Sequence, residues 1–261
     1  MSSKNDKSKA LLKVLFITED DPLYVIQFFD VFFQQYPKEN IDVIGITVVD
    51  AFHEPIWKTA WRMLNFYGPR DFVRLGWRFA LAKVKGHSIK KIATQSGIQV
   101  IETESVNNSS YVQKIEQLRP DVLISVAAPE VFKKPLLNTP SLKCINIHSG
   151  KLPIYRGMMP NFWQLLHGED FATITIHEMA EELDAGGIIA TKEFKFQMPD
   201  SLDRIIVGTK QEGARLMIDV LIDFEKYAKE IEPIDMDEAK YFSFPKSKDV
   251  QALRAAGHKM L

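Results

Sequence analysis

LLKVLFITEDDPLYVIQFFDVFFQQYPKENIDVIGITVV, residues 11–49, decides the fold class. It opens on a nearly unbroken apolar run, LLKVLFI (11–17), the pattern of a strand buried on both faces of a parallel sheet. PLYVIQFFDVFFQQY then repeats apolar residues at helical spacing, and IDVIGITVV (41–49) returns to a strand. Strand, helix and strand in so short a span make a βαβ unit. The alternation continues downstream. GIQVIE (97–102) reads as a third strand, and SSYVQKIEQLRP as a helix capped by Ser109 or Ser110 and closed by Pro120. DVLISVAA (121–128) and KCINIH (143–148) supply two further strands. The expectation is an α/β fold, a mostly parallel twisted sheet with helices on both faces.

Beyond residue 150 the pattern changes. PNFWQLLHG is a short helix ended by Gly168, and ATITIHEM (172–179) and GGIIATKEFKF (186–196) read as an antiparallel strand pair. A long helix runs from a Ser201 cap to Glu230, with Leu202, Ile205, Leu216, Val220 and Phe224 on one face. SKDVQALRAAG closes the chain as a helix with Gly257 at its end. The expected organisation is a loose tail (1–10), a catalytic domain (11–230) with a helical insertion (54–92), and an extension packed on it (231–261).

The insertion holds three of the four tryptophans and an excess of Lys and Arg. It reads as two helices broken at Gly68–Pro69, with its aromatics packed on the main domain and Arg62, Arg74 and Arg78 forming a solvated face. A lid or partner surface whose basic face meets an anionic substrate, such as a nucleotide sugar, is the sharper alternative. A membrane-surface helix ranks below both.

The bulk composition excludes several classes. The formal net charge is −1, so no overall attraction to nucleic acid or membrane is implied. Cys144, the single cysteine, lies in an apolar run and reads as a buried thiol; there is no disulfide and no Cys/His metal spacing. MSSKNDKSKA lacks the apolar core of a signal peptide, and no stretch approaches the ~18 apolar residues of a membrane span. A cytoplasmic protein is expected.

Chemistry concentrates where the fifth strand ends. Asn146 and His148 are two apart and share a face at the sheet's mouth. An amide donor beside a titratable imidazole suits a reaction in which a carbonyl oxygen gains charge. A turn-capping Asn and a half-buried His form the plain alternative. Asp184, followed by Gly186 and Gly187, places a carboxylate in a tight turn able to orient an imidazole or take a proton. No G-x-S-x-G supplies a nucleophile, and FITEDDP lacks the glycines of a dinucleotide loop.

NIHSGKLPIYRG (146–157) followed by GEDFATITIHEMAEELDAGGIIA (168–190) resembles the signature of the 10-formyltetrahydrofolate-dependent formyltransferases. These include glycinamide ribonucleotide, methionyl-tRNA and amino-sugar formyltransferases. The likeness is specific over about residues 121–196 and implies a Rossmann-like fold. It makes Asn146, His148 and Asp184 the catalytic trio, with the carboxylate keeping His148 charged. It implies that 10-formyltetrahydrofolate is the co-substrate, its pterin cradled by 125–132 and 178–184, with Ala127, Ala128, Pro129, Val131, Met179 and Glu182 as contacts. The acceptor side would be lined by Lys151, Tyr155 and Arg156, joined by Met159, Asn161 and Trp163. No metal is implied. Gly150-Lys151-Leu152-Pro153 departs from the usual Ser-Leu-Leu-Pro and leaves Lys151 either as an acceptor contact or as a solvent-facing side chain.

The acceptor is expected to be a small-molecule amine, an amino sugar on a nucleotide. The family's tRNA enzymes carry a second C-terminal domain for which little chain remains here, which weighs against nucleic acid. A glycinamide ribonucleotide enzyme, a formyltetrahydrofolate hydrolase and a non-catalytic folate-binding or partner module are the alternatives. Homo-oligomerisation stays open.

Overall fold

The structure is a computed structural model and describes residues 10–49, 55–197 and 200–261. The expectation of a loose tail falls almost wholly outside these residues. The elements run β1 (Leu12–Glu19), α1 (Val25–Gln35), β2 (Ile41–Val49), α2 (Ile56–Val84), α3 (Ile89–Gln95), β3 (Val100–Ile101), α4 (Ser109–Leu118), β4 (Val122–Val126) and α5 (Lys134–Leu137). They continue β5 (Lys143–His148), β6 (Arg156–Gly157), α6 (Pro160–Leu166), β7 (Phe171–Glu178), β8 (Ile188–Lys195), α7 (Leu202–Ile222), α8 (Phe224–Lys229), β9 (Tyr241–Phe242) and α9 (Ser247–Ala255).

Seven strands form one sheet in the order β3-β2-β1-β4-β5-β7-β8. The first five are parallel; β7 and β8 extend the sheet antiparallel to their neighbours. β6 and β9 form a separate parallel pair, which sets residues 241–242 of the C-terminal stretch against the turn after β5.

The two-residue period of the strands sorts side chains into two cores. Val14 and Phe16 of β1, Val122 and Ile124 of β4, Ile145 and Ile147 of β5, and Ile174 and Ile176 of β7 enter the core built with α1 and α7. Leu15, Ile17, Leu123 and Cys144 enter the opposite core with α4. Asn146 and His148 follow Cys144 at even spacing, and Thr175 and His177 alternate with Ile174 and Ile176. Register sets Asn146 against His177 and His148 against Thr175. Four polar side chains therefore share one face of the sheet.

Several local expectations change. The third strand shrinks to two residues. Ser109 is the first helical residue of α4 and Asn108 the cap, with no side-chain cap bond. The long helix breaks at Asp223, although Ser201 does cap it by accepting from Arg204 N, and all five apolar residues expected on one face are buried. α2 breaks at Gly68, where φ is 74°.

The insertion departs furthest from its sequence reading. Trp57, Trp61 and Trp77 are 68, 64 and 69% exposed, whereas Phe66 and Tyr67 are buried in a third core with α6 and α9. Arg78 is ion-paired to Asp203 at 2.7 Å rather than solvated.

Candidate active site

β5 delivers Asn146 and His148, and the turn after it is locked from three directions. His148 Nε2 donates to the Tyr155 carbonyl at 2.7 Å. Thr175 Oγ1 donates to the Gly150 carbonyl at 2.7 Å. Gln164 Nε2 donates to the Ser149 carbonyl at 3.1 Å, and its Oε1 accepts from Thr173 N at 2.9 Å. Gly150 is a glycine for a steric reason. A Cβ there would stand 2.6 Å from Pro160 Cβ, 2.7 Å from His148 Nε2 and 2.8 Å from the Tyr155 carbonyl. A larger residue would displace the bond that orients the imidazole.

The loop between β7 and β8 folds back to bring in Asp184. Gly186 permits this, since a Cβ there would fall 1.9 Å from the Glu178 carbonyl. Asp184 itself takes φ 52°, a region Asp tolerates better than most residues. Its Oδ2 accepts from Gly157 N at 3.1 Å. Its Oδ1 lies 4.0 Å from His148 Nδ1 and 3.7 Å from His177 Nε2. The side chains of His148, His177 and Asp184 are all buried, while Asn146 is half-buried.

The hydrogen bonds fix the protonation pattern. A carbonyl can only accept, so His148 carries a proton on Nε2 and presents Nδ1 to Asp184. His177 Nδ1 likewise donates to the Glu178 carbonyl at 2.9 Å. Its Nε2 then accepts from Asn146 Nδ2 at 3.0 Å, which requires a neutral ring. Burial pushes the His177 pKa down to about 4, and neighbouring His148 adds to the shift; Asp184 only partly opposes them. One amide hydrogen of Asn146 is thus spent on His177, and the other is left for the open side of the site. His148 Nδ1 is the imidazole atom that can gain or release a proton, with a carboxylate beside it to balance the charge.

The loops expected to cradle a pterin lie next to one another. Ala128 and Met179 pack on the same apolar core, and Met179 Sδ lies 3.5 Å from Cys144 Sγ, whose thiol pKa burial pushes up. Lys134 Nζ pairs with Glu181 at 2.9 Å, joining α5 to the second loop. Ala127 adopts φ 52°, which turns the chain sharply at the end of β4. Among the described residues no backbone–backbone bond occupies the N–H groups of Ala128 and Glu130 or the carbonyls of 128–130, nor the N–H groups of 180–183 and the carbonyls of 180–182; the Leu183 carbonyl is taken by Arg156. Free backbone donors and acceptors beside an apolar floor fit a flat heteroaromatic ring that carries both kinds of group. Pro129 is half-buried, and Val131 is exposed, its carbonyl held by Asn107 Nδ2 at 3.0 Å. Glu182 points to Arg156, which it meets at 3.1 Å.

The acceptor-side expectations fare differently. Lys151 is exposed. Arg156 is engaged by the second loop, through Glu182 and a short bond to the Leu183 carbonyl. Tyr155 is buried and its hydroxyl donates to Glu169 at 2.8 Å, so its carbonyl, not its ring, touches the site. Asn161 and Trp163 are buried as well, bonded to Thr209 Oγ1 and to the Met158 and Ser243 carbonyls.

Sequence reasoning assigned no role to His177, Thr175 or Gln164. The first two stand in TITIH, where polar residues alternate with isoleucines on one strand, and that alternation was the available signal. Gln164 sits on a short helix with nothing in the sequence to mark it.

The sequence profile of the formyl transferase family matches residues 80–221, more than half of the chain. The chain belongs to this family. It is 32% identical over 160 residues to the methionyl-tRNA formyltransferase of Sulfurihydrogenibium sp. (strain YO3AOP1), covering 61% of this chain and 51% of that protein. The chain thus spans about half the length of such relatives. Among solved structures, it resembles an N-formyltransferase from Helicobacter canadensis in complex with folinic acid and dTDP-3-aminofucose, at TM-score 0.57 and 15% identity over 89% of this chain and 71% of that one. It also resembles glycinamide ribonucleotide transformylase 1 from Symbiobacterium toebii, at TM-score 0.60 and 12% identity over 88% and 100%. At such identities these two likenesses concern the fold. The formyl transferase match begins inside α2, so the outward tryptophans Trp57, Trp61 and Trp77 precede it.

Proposed function

We propose that this formyl transferase family member moves a formyl group from 10-formyltetrahydrofolate to the amine of a nucleotide-linked amino sugar. The observation that carries the reading is the meeting of Asn146, His148 and Asp184 around neutral His177. The folate would lie between residues 125–132 and 178–184, its formyl carbon toward β5. A neutral amine attacks that carbon. The oxygen gains charge and is held by the free amide hydrogen of Asn146 and by a proton on His148 Nδ1. Asp184 balances the imidazolium and takes up the proton the amine sheds, directly or through one water. Collapse of the tetrahedral centre breaks the bond to N10, which receives the amine's proton back from Asp184, directly or through one water, and leaves as tetrahydrofolate. Holding both reactants removes the entropy of bringing them together.

Asn146→Ala, His148→Ala and Asp184→Ala each test the mechanism in a tetrahydrofolate-release assay. A loss of ~10²–10³ in turnover is expected for Asn146→Ala, the usual cost of one oxyanion donor. Near-normal rates in all three would refute the assignment. The acceptor is tested by offering nucleotide-linked amino sugars and watching by mass for one added formyl group. The sequence likeness to methionyl-tRNA formyltransferases supports a second reading, so methionyl-tRNA belongs in the same panel. Formylation of the tRNA alone would replace the sugar. Formate release without any acceptor would make the protein a hydrolase.

A further inference from the structure

α2 is apolar on two sides, and among the described residues only one of them is packed against the rest of the fold. Phe66 and Tyr67 are buried in the core with α6 and α9, and Met63, Phe72 and Leu75 pack against it. Arg254 donates to the Tyr67 carbonyl at 2.6 Å, and Arg78 pairs with Asp203 at 2.7 Å. The helix is therefore pinned with its other side outward. Trp57 and Trp61, four residues apart, stand out before the break at Gly68, and Val73, Trp77 and Val84, at helical spacing, stand out after it, between 64 and 86% exposed. Leu81, four residues past Trp77, borders it at 42%. Single exposed apolar residues are ordinary in a folded protein, but three tryptophans about two-thirds exposed on one helical insertion mark an interaction surface.

The charge around the patch selects the partner. From Trp57 to Lys85 there are seven Lys and Arg residues and one acidic residue, Asp71, in a chain whose net charge is −1. Arg78 is held by Asp203, Arg74 by Asp71, and Arg62 lies over Phe244, so the outward charge is carried by Lys58, Arg70, Lys83 and Lys85. Lys58 lies over the Trp57 ring at 5.6 Å, so a cation sits directly beside one of the outward rings, and Lys83 lies over Phe79 at 5.3 Å on the helix flank. A second copy meeting this face about a two-fold axis would set like charges against each other, and protein interfaces are depleted in lysine. RNA would meet the cations and stack on the rings but leave Val73, Val84 and Leu81 unused. An anionic bilayer satisfies all of them: tryptophans at headgroup depth, aliphatic side chains in the acyl boundary, and Lys and Arg among the phosphates. Among the described residues no helix is long and apolar enough to cross a membrane, so α2 would lie along it.

We propose that the outer face of α2 is a peripheral membrane-binding surface for anionic phospholipid, independent of which amine the active site formylates. The test is co-sedimentation of the full chain with vesicles of pure phosphatidylcholine and with vesicles containing phosphatidylglycerol, alongside tryptophan emission. At least tenfold stronger binding to the anionic vesicles is expected, with a blue shift in emission, because two or more basic residues near the surface suffice for that ratio. The double variant Trp61→Gln/Trp77→Gln should lose the blue shift and most of the binding, and Lys83→Glu should weaken anionic binding several-fold. Circular dichroism matching the wild type would show that each variant folds. Absence of vesicle binding overturns the proposal. So does equal binding to both vesicle types, retention by RNA but not by vesicles, or a dimer in sedimentation that hides the tryptophans without any lipid binding.

Discussion

His177 can hold Asn146 only while its own ring is neutral. Its Nδ1 hydrogen is committed to a carbonyl, so a second proton on Nε2 would point at the amide it now accepts from. Folding lowers its pKa from 6.5 to about 4, so the unfolded chain takes up a proton first as pH falls. The stability this neutral ring contributes is complete above about pH 6.5 and is lost progressively toward pH 4, by on the order of 3 kcal/mol. Urea titrations of wild type and His177→Gln between pH 7 and 4.5 should show a shallower decline in the variant; parallel declines would contradict the shift. Asn146 and His148 were legible as a pair because a strand's period puts them on one side. His177 was not given a role, because it reaches Asn146 only through pairing between β5 and β7, a register that is absent from either strand alone.

The loop after β7 shows what an element needs from its neighbours. Asp184 reaches the site because Arg156, on the short strand β6, ties Glu182 and the Leu183 carbonyl. With Glu182 largely exposed, the ion pair contributes ~0.2–1 kcal/mol and the bond to the carbonyl about 1 more, so Arg156→Met should loosen the loop without unfolding the protein. Faster amide exchange over residues 180–186 and a roughly tenfold rise in KM for the folate are expected, with a smaller fall in kcat. Unchanged exchange there would remove the brace. At this scale the sequence was informative where a local rule acts alone: the Ser201 cap, the break at Gly68 and the β7–β8 hairpin all stand where capping and turn chemistry put them. It misled where the rule needs a partner. The tryptophans of α2 read as core because large aromatics usually are, but the inner face was already filled by Phe66 and Tyr67.

Across the whole molecule, the sheet divides the interior, and Phe16 sits at the centre of the larger side. It meets Phe29 and Phe32 of α1 edge-on at 5.5 and 4.9 Å. Phe16→Ala would leave a cavity that these rings cannot collapse into, at a cost of ~3–5 kcal/mol. A denaturant midpoint lowered accordingly, with an unchanged m-value, checks this; a shift under ~1 kcal/mol would mean that α1 repacks freely. The sequence by itself determined the α/β class, the parallel strands and the position of Asn146 and His148 at a strand's end, because hydrophobic period and turn chemistry act within a few residues. Tertiary structure alone decided that Asp184 meets two histidines, that Tyr155 gives the site its carbonyl, and that three tryptophans face outward. Each of these depends on which surfaces far apart in the chain are already covered when the elements pack.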